Sequence, residues 1–322
     1  MHAPAPSEAP AGVSAPTSDA EPPVPPVRAV FGVTENTGRL ERDDLDEVSG
    51  LAASRRRSDL LWVHNDSGAR PRLYAIGADG RDRGAVDVSG ASNVDWEDLA
   101  SFELDGVPYL LIADVGDNAA RRRSVTLYVI EEPELIGDRF GRRARARVAW
   151  SIDVVYDGGP LDCEGVAVDV PGGRVLLVSK RTVPLRLYEV PLRATTASDE
   201  PVVASLVGDV FGIPQPVASD LAEDPQFGRF RSQATALDVS SDARELIVVT
   251  YGNAYRFSRA EGEGWREAVA RAPDIVMLPR MVQTEAGAYS ADGRSLWVTT
   301  ERRPAPLYRV DRLPEDPPDV PL

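Results

Sequence analysis

The apolar residues of this chain fall in short blocks broken by Gly, Pro, Asp and Asn, as in DLLWVHND (59–66), RLYAIG (72–77) and RVLLVSKR (174–181). Helical spacing is scarce and Val, Leu, Ile and Tyr dominate the blocks, so the pattern predicts an all-β chain. The blocks also repeat in order. A small apolar strand leads, a strongly apolar strand ending in polar residues follows, and a strand containing Tyr comes third. The set occurs five times: SGLAAS, DLLWVHND and RLYAIG; EDLASF, PYLLIADVGDN and TLYVIEE; EGVAVD, RVLLVSKR and RLYEVP; TALDVS, ELIVVTYGN and AYRFSR; EAGAYS, SLWVTTERR and PLYRVD.

A fourth strand follows in most copies (AVDVSG, RARVAWSIDVVY, VVASLVGDV, DIVMLP). The fifth copy lacks one, and RAVFGVTE (28–35) is available to supply it. Tandem four-stranded units closed by pairing the chain ends describe a β-propeller, which leaves few exposed edges. The expectation is an all-β, five-bladed β-propeller with four-stranded blades closed by the N-terminal strand, with a six-bladed ring as the alternative. It occupies 28–314 as one domain, between a Pro/Ala-rich tether (1–27) and a tail (315–322).

Composition narrows the function. The formal charge of −15 argues against nucleic acid, whose phosphates are neutralised by Lys and Arg. No stretch approaches the ~20 apolar residues of a membrane span. The tether has neither a basic n-region nor an apolar h-region. It reads as the start of a mature exported form, secreted, periplasmic or at the cell surface, with a lipid or signal-derived attachment before it. The expected state is a monomer.

The candidate chemistry gathers where the inner strands begin. Ser49, Glu97, Glu164, Thr235 and Glu285 open the five leading blocks, and in a propeller these positions meet at one mouth of the central channel. Three converging carboxylates raise one another's pKa unless a cation intervenes. An all-oxygen set suits Ca2+, with about 6 to 8 ligands at about 2.3 to 2.6 Å. The competing reading is solvated or Arg-paired glutamates.

Second strands run the opposite way and bring Asp66, Asp114, Asp117 with Asn118, Lys180 with Arg181, Tyr251, and Glu301 with Arg302 and Arg303 to the same mouth. Carboxylates beside a metal, with cations near them, are the parts of phosphoryl chemistry. Asp66 or Asp114 is the expected base and Lys180 and Arg302 the expected phosphate holders. Lys180 is the only lysine. Asp114 and Asp117 also invite a second metal or, equally, a capped turn. His64 is a candidate base or a loop partner. Cys163 reads as a small core residue, Trp96 as inter-blade packing, and Arg121 to Arg123 as a solvated basic loop, with the rim of an anionic substrate as the alternative.

The ring of Ser, Glu, Glu, Thr and Glu, with SGL (49–51), WEDLA (96–100) and NDSGARPRLY (65–74), resembles the calcium-activated nucleotidase (apyrase) family, and this implies Ca2+ at the ring. HNDSG (64–68), DWED (95–98), the GDN element (114–118), D-x-EG (162–165) and the KR pair (180–181) are similar to a group of bacterial exported propellers, and phytase-like propellers share D-x-EG. The expected function is an exported Ca2+-dependent hydrolase of phosphate esters or anhydrides acting on a small anionic substrate at the channel mouth. The alternative is a non-catalytic propeller stapled by calcium.

Overall fold

The computed structural model describes residues 30–193 and 200–314. The expected tether and tail lie outside the described residues.

Among the described residues twenty strands form five antiparallel four-stranded units, in the order in which the apolar blocks announced them. The first comprises β2 (Val48–Ala53), β3 (Leu60–Asn65), β4 (Arg72–Gly77) and β5 (Asp82–Ser89). The second comprises β6 (Trp96–Leu104), β7 (Val107–Asp114), β8 (Val125–Glu131) and β9 (Arg145–Tyr156). The third comprises β10 (Cys163–Asp169), β11 (Arg174–Ser179), β12 (Leu185–Pro191) and β13 (Val202–Val210). The fourth comprises β14 (Ala234–Val239), β15 (Glu245–Thr250), β16 (Ala254–Ser258) and β17 (Asp274–Val276).

The last unit runs β18 (Thr284–Tyr289), β19 (Ser295–Thr300) and β20 (Pro306–Arg312), and β1 (Phe31–Arg39) pairs antiparallel with β20 as its fourth strand. Among the described residues the helices are brief, Ala218–Glu223 and Trp265–Val269, and no helix is long and apolar enough to cross a membrane.

Each innermost strand packs on the next, β2 on β6, β6 on β10, β10 on β14, β14 on β18, and β18 returns to β2. This is the arrangement of a β-propeller. The sequence did not foretell one linkage. The outer strand β9 is twelve residues long and pairs in parallel with both neighbouring outer strands, β5 (Asp87↔Arg145) and β13 (Val202↔Val154). Three of the sheets are thereby joined into one.

The innermost strands are almost wholly buried, and their amides face a neighbouring unit that offers no regular ladder. Two aspartates meet that need. Asp98 on β6 accepts hydrogen bonds from Leu99 N (2.8 Å), from Val166 N on β10 (2.8 Å) and from Leu237 N on β14 (3.0 Å). Asp238 on β14 accepts from Val239 N and from Tyr289 N on β18, both at 2.8 Å. Gly165 belongs to the same close contact, because a Cβ there would stand 2.8 Å from the Ala236 and Leu237 backbone.

Burial raises the Asp238 carboxyl from its ordinary 3.8 to about 6, against the lowering influence of Arg55 and of its two amide donors. A folded-state pKa above the unfolded one means that the native protein holds the extra proton between about pH 4 and 6. This contribution to stability is therefore lost as pH rises through that window, by at most about 3 kcal/mol. Denaturant titrations of wild type and Asp238→Asn should show a stability difference that shrinks from pH 4 to pH 6 and is flat above. A difference independent of pH contradicts the assignment.

Candidate metal centre

Every strand pairing between a first and a second strand carries one register irregularity. In the five units it falls between Val48 and Gly50, Trp96 and Asp98, Cys163 and Gly165, Ala234 and Ala236, and Thr284 and Ala286. The residue skipped each time is Ser49, Glu97, Glu164, Thr235 or Glu285. A bulge releases one residue from the ladder and re-aims its side chain. The five ring positions are thus equivalent by backbone as well as by order, and all five are buried.

Side-chain contacts run around this ring. Ser49 Oγ donates to the Glu97 backbone carbonyl at 2.7 Å and lies 3.4 Å from Glu97 Oε2. The Glu97 and Glu164 carboxyls are near enough that Glu164 raises the Glu97 pKa. Lys180, just beyond β11, sets its ammonium 2.8 Å from Glu164 Oε1 and 5.4 Å from the centre of the Tyr251 ring. Tyr251 and Glu285 lie close enough to shift each other's pKa, and Gln283 Nε2 reaches Glu285 Oε1 at 3.5 Å. Thr235 Oγ1 is buried with no hydrogen-bond partner.

Burial is the main force on these acids. It lifts Glu164 to about 7 despite Lys180 and Glu285 to about 8, again against Lys180 and with Glu164 and Glu301 adding to the rise. It also lifts Glu97 well above the carboxylate range, reinforced by Glu164 and Asp66. Lys180 opposes its own desolvation through Glu164, Glu285, Tyr251 and Glu97 and stays an ammonium.

The expected oxygen-only ring thus has a cation among its carboxylates. The same geometry removes Lys180 from the part of a phosphate holder, because its charge is turned onto Glu164. Arg181 is committed too, with Nε 2.5 Å from Asp162 Oδ2.

A second set of carboxylates lies at the mouth and shares Glu97 with the ring. Asp66, Asp95 and Glu97 each offer an oxygen within 4.8 Å of the others. Asp66 is delivered by the end of β3, and Asp95 and Glu97 by the entry to β6. Gly116 closes over them, since a Cβ there would collide with Glu97 Oε1 and Asp95 Oδ2. Burial raises Asp95 to about 6, with Asp66 the first of the neighbouring charges adding to it and Arg122 opposing. Burial also raises Asp66, against its bond from Ser67 N and the Lys180 charge. Two oxygens bound to one Ca2+ at 2.3 to 2.6 Å stand at most about 5 Å apart, so the trio's oxygens lie at the spacing of ligands to a single ion.

Asp114 does not serve as a base. It is buried, Arg122 Nη1 lies 2.8 Å from its Oδ1, and Val94 N and Asp95 N donate to its two oxygens at 3.2 and 3.1 Å. Its part is to hold Asp95 in place. Asp117 likewise spends both oxygens on Arg121 N and Arg122 N, which corrects the second-metal reading in favour of a capped turn. Arg302 stays on the exposed rim, 5.7 Å from the Phe227 ring, and of Arg121 to Arg123 only Arg122 turns inward.

His64 is buried with its pKa lowered to about 4 by desolvation. Its Nδ1 is 3.0 Å from Asn65 O and its ring stands edge-on to Trp96 at 5.3 Å, so it packs between strands. Trp96 is fully buried and donates to Ser92 O at 2.7 Å. The Cys163 thiol is buried and pushed up to about 12.

No protein-family profile matches the chain, and no curated protein matches it in sequence. Among solved structures the fold is similar to the nidogen/laminin complex at 11% identity, with a TM-score of 0.42 and 80% of this chain and 73% of that chain covered. It is also similar to the Myceliophteria thermophila Cps50 (Swd1) β-propeller domain at 11% identity, with a TM-score of 0.38, covering 83% of this chain and 84% of that one.

Proposed function

We propose that this chain is a five-bladed, calcium-binding β-propeller whose ion is held at the channel mouth by Asp66, Asp95 and Glu97. The convergence of those three carboxylate oxygens within 4.8 Å of one another carries the reading. Electrostatics supports it. Five acids crowd the axis (Asp66, Asp95, Glu97, Glu164 and Glu285) and a single ammonium faces them. Two like charges 4 Å apart repel by about 4 kcal/mol at an effective dielectric of 20. A hard divalent ion relieves that repulsion, and oxygen donors suit Ca2+. The donor set has no Cys or His for zinc. An ion here ties β3 of the first unit to β6 of the second, which makes it a staple between blades. An exported location belongs to the same proposal on the strength of the sequence resemblance.

A hydrolytic reading is favoured by one observation. Asp66 and Asp95 are only partly buried, so an ion held between them at the mouth is open to an anionic ligand. Bound metal would supply charge stabilisation for an anionic substrate such as a phosphate ester or anhydride. Asp114 holds Asp95 in position for the ion by accepting from its backbone amide.

Calcium titration by calorimetry tests the proposal. One ion should bind wild type, and Asp95→Asn should weaken it by about a hundredfold or more. A chain that takes up no calcium, or an Asp95→Asn protein that binds like wild type, removes the proposal. Phosphate release from an ester and nucleotide panel, abolished by EGTA, separates the enzyme from the staple.

A further inference from the structure

The ring below the mouth raises a separate question, because five bulged residues and three glutamates are built there around a lysine. Lys180 is the chain's only lysine. It is 9% exposed, and its ammonium contacts Glu164 at 2.8 Å and lies 5.4 Å from the centre of the Tyr251 ring. An ammonium is a compact point charge, whereas a guanidinium is a broad planar fork. The adjacent Arg181 shows the contrast, since it reaches sideways to Asp162 and Asn118 and stays out of the ring.

We propose that Lys180 is the resident cation of the five-residue ring, a built-in counter-ion that excludes divalent ions from Ser49, Glu97, Glu164, Thr235 and Glu285. Uptake is thereby confined to the Asp66, Asp95 and Glu97 mouth. The exclusion stands on the ion pair alone, and only the confinement rests on the mouth reading. This differs from what the apyrase resemblance implies, where the ring itself holds the ion. An ammonium and a divalent ion repel each other at contact distance, so the lysine must leave before an ion can enter. The side chain is buried where it stands.

The selectivity of the ring can be read by terbium luminescence and calcium calorimetry on the folded chain. Wild type should bind one ion, unaffected within about twofold by Glu285→Gln. Lys180→Met should bind a second. In Lys180→Met combined with Asp95→Asn one ion should remain, and adding Glu285→Gln should remove it. Two results overturn the proposal. One is a wild-type ion weakened tenfold or more, about 1.4 kcal/mol, by Glu285→Gln. The other is a folded Lys180→Met protein that gains no ion. If wild type binds nothing and Lys180→Met binds one ion, the counter-ion stands and the mouth reading fails. Should Lys180→Met not fold, the Glu285→Gln comparison in wild type decides.

Discussion

Replacing Asp98 by Ala is expected to cost more stability than any other single change near the axis. Asp98 is fully buried and is the acceptor for amides on β6, β10 and β14, three of the five innermost strands. Each buried donor left without a partner costs about 1 to 3 kcal/mol. Loss of the two inter-blade amides and the local one therefore totals roughly 3 to 9 kcal/mol, comparable with the whole stability of many domains, about 5 to 15 kcal/mol. Asp98→Asn keeps one carbonyl oxygen and should lose about half as much. Urea unfolding of the purified variants reads both. An Asp98→Ala protein within 1 kcal/mol of wild type would mean that the inner strands do not depend on this carboxylate.

The second large effect is calcium itself. A ligand that binds only the native state adds RT ln(1 + [L]/Kd), about 2.7 kcal/mol at a hundredfold excess over Kd. Millimolar calcium should therefore raise the melting temperature by several degrees, and EGTA should reverse the rise. The pH dependence has a definite sign. Asp95 has its pKa raised to about 6, by burial first and by Asp66 next, so below pH 6 the ion has to displace a proton. The calcium-induced rise should be larger at pH 7.5 than at pH 5.5. Equal shifts at the two pH values contradict Asp95 as a ligand, and no shift at either contradicts the site.

The five ring positions were legible because each opens a block that repeats, and a repeat fixes equivalent places without any knowledge of side-chain direction. What repetition does not encode is the bulge at each place, since an irregular ladder looks the same as a regular one in a string of apolar letters. The partners of the mouth acids were less legible. Lys180, Asp114 and Asp117 all arrive at the mouth as the strand directions require. Whether a side chain there faces a ligand or a neighbour depends on distances across blades, and these set Lys180 on Glu164, Asp114 on Arg122 and Asp117 on its own loop. Asp98 was read as part of the acidic DWED word. Its signal was an acid inside an otherwise apolar block, with LDV at 237–239 as the matching case, and a buried acid in a strand asks where its hydrogen bonds go. Asp95 was likewise quoted in that word without a ligand's part, because only the fold brings it beside Asp66.

Diffraction from crystals grown with calcium, or with terbium for its anomalous signal, tests the central claim most directly. The account predicts one peak bonded to oxygens of Asp66, Asp95 and Glu97 at about 2.3 to 2.6 Å, with the Lys180 ammonium still on Glu164. A peak on the axis among Glu97, Glu164 and Glu285 with Lys180 displaced, or no peak at saturating ion, contradicts it.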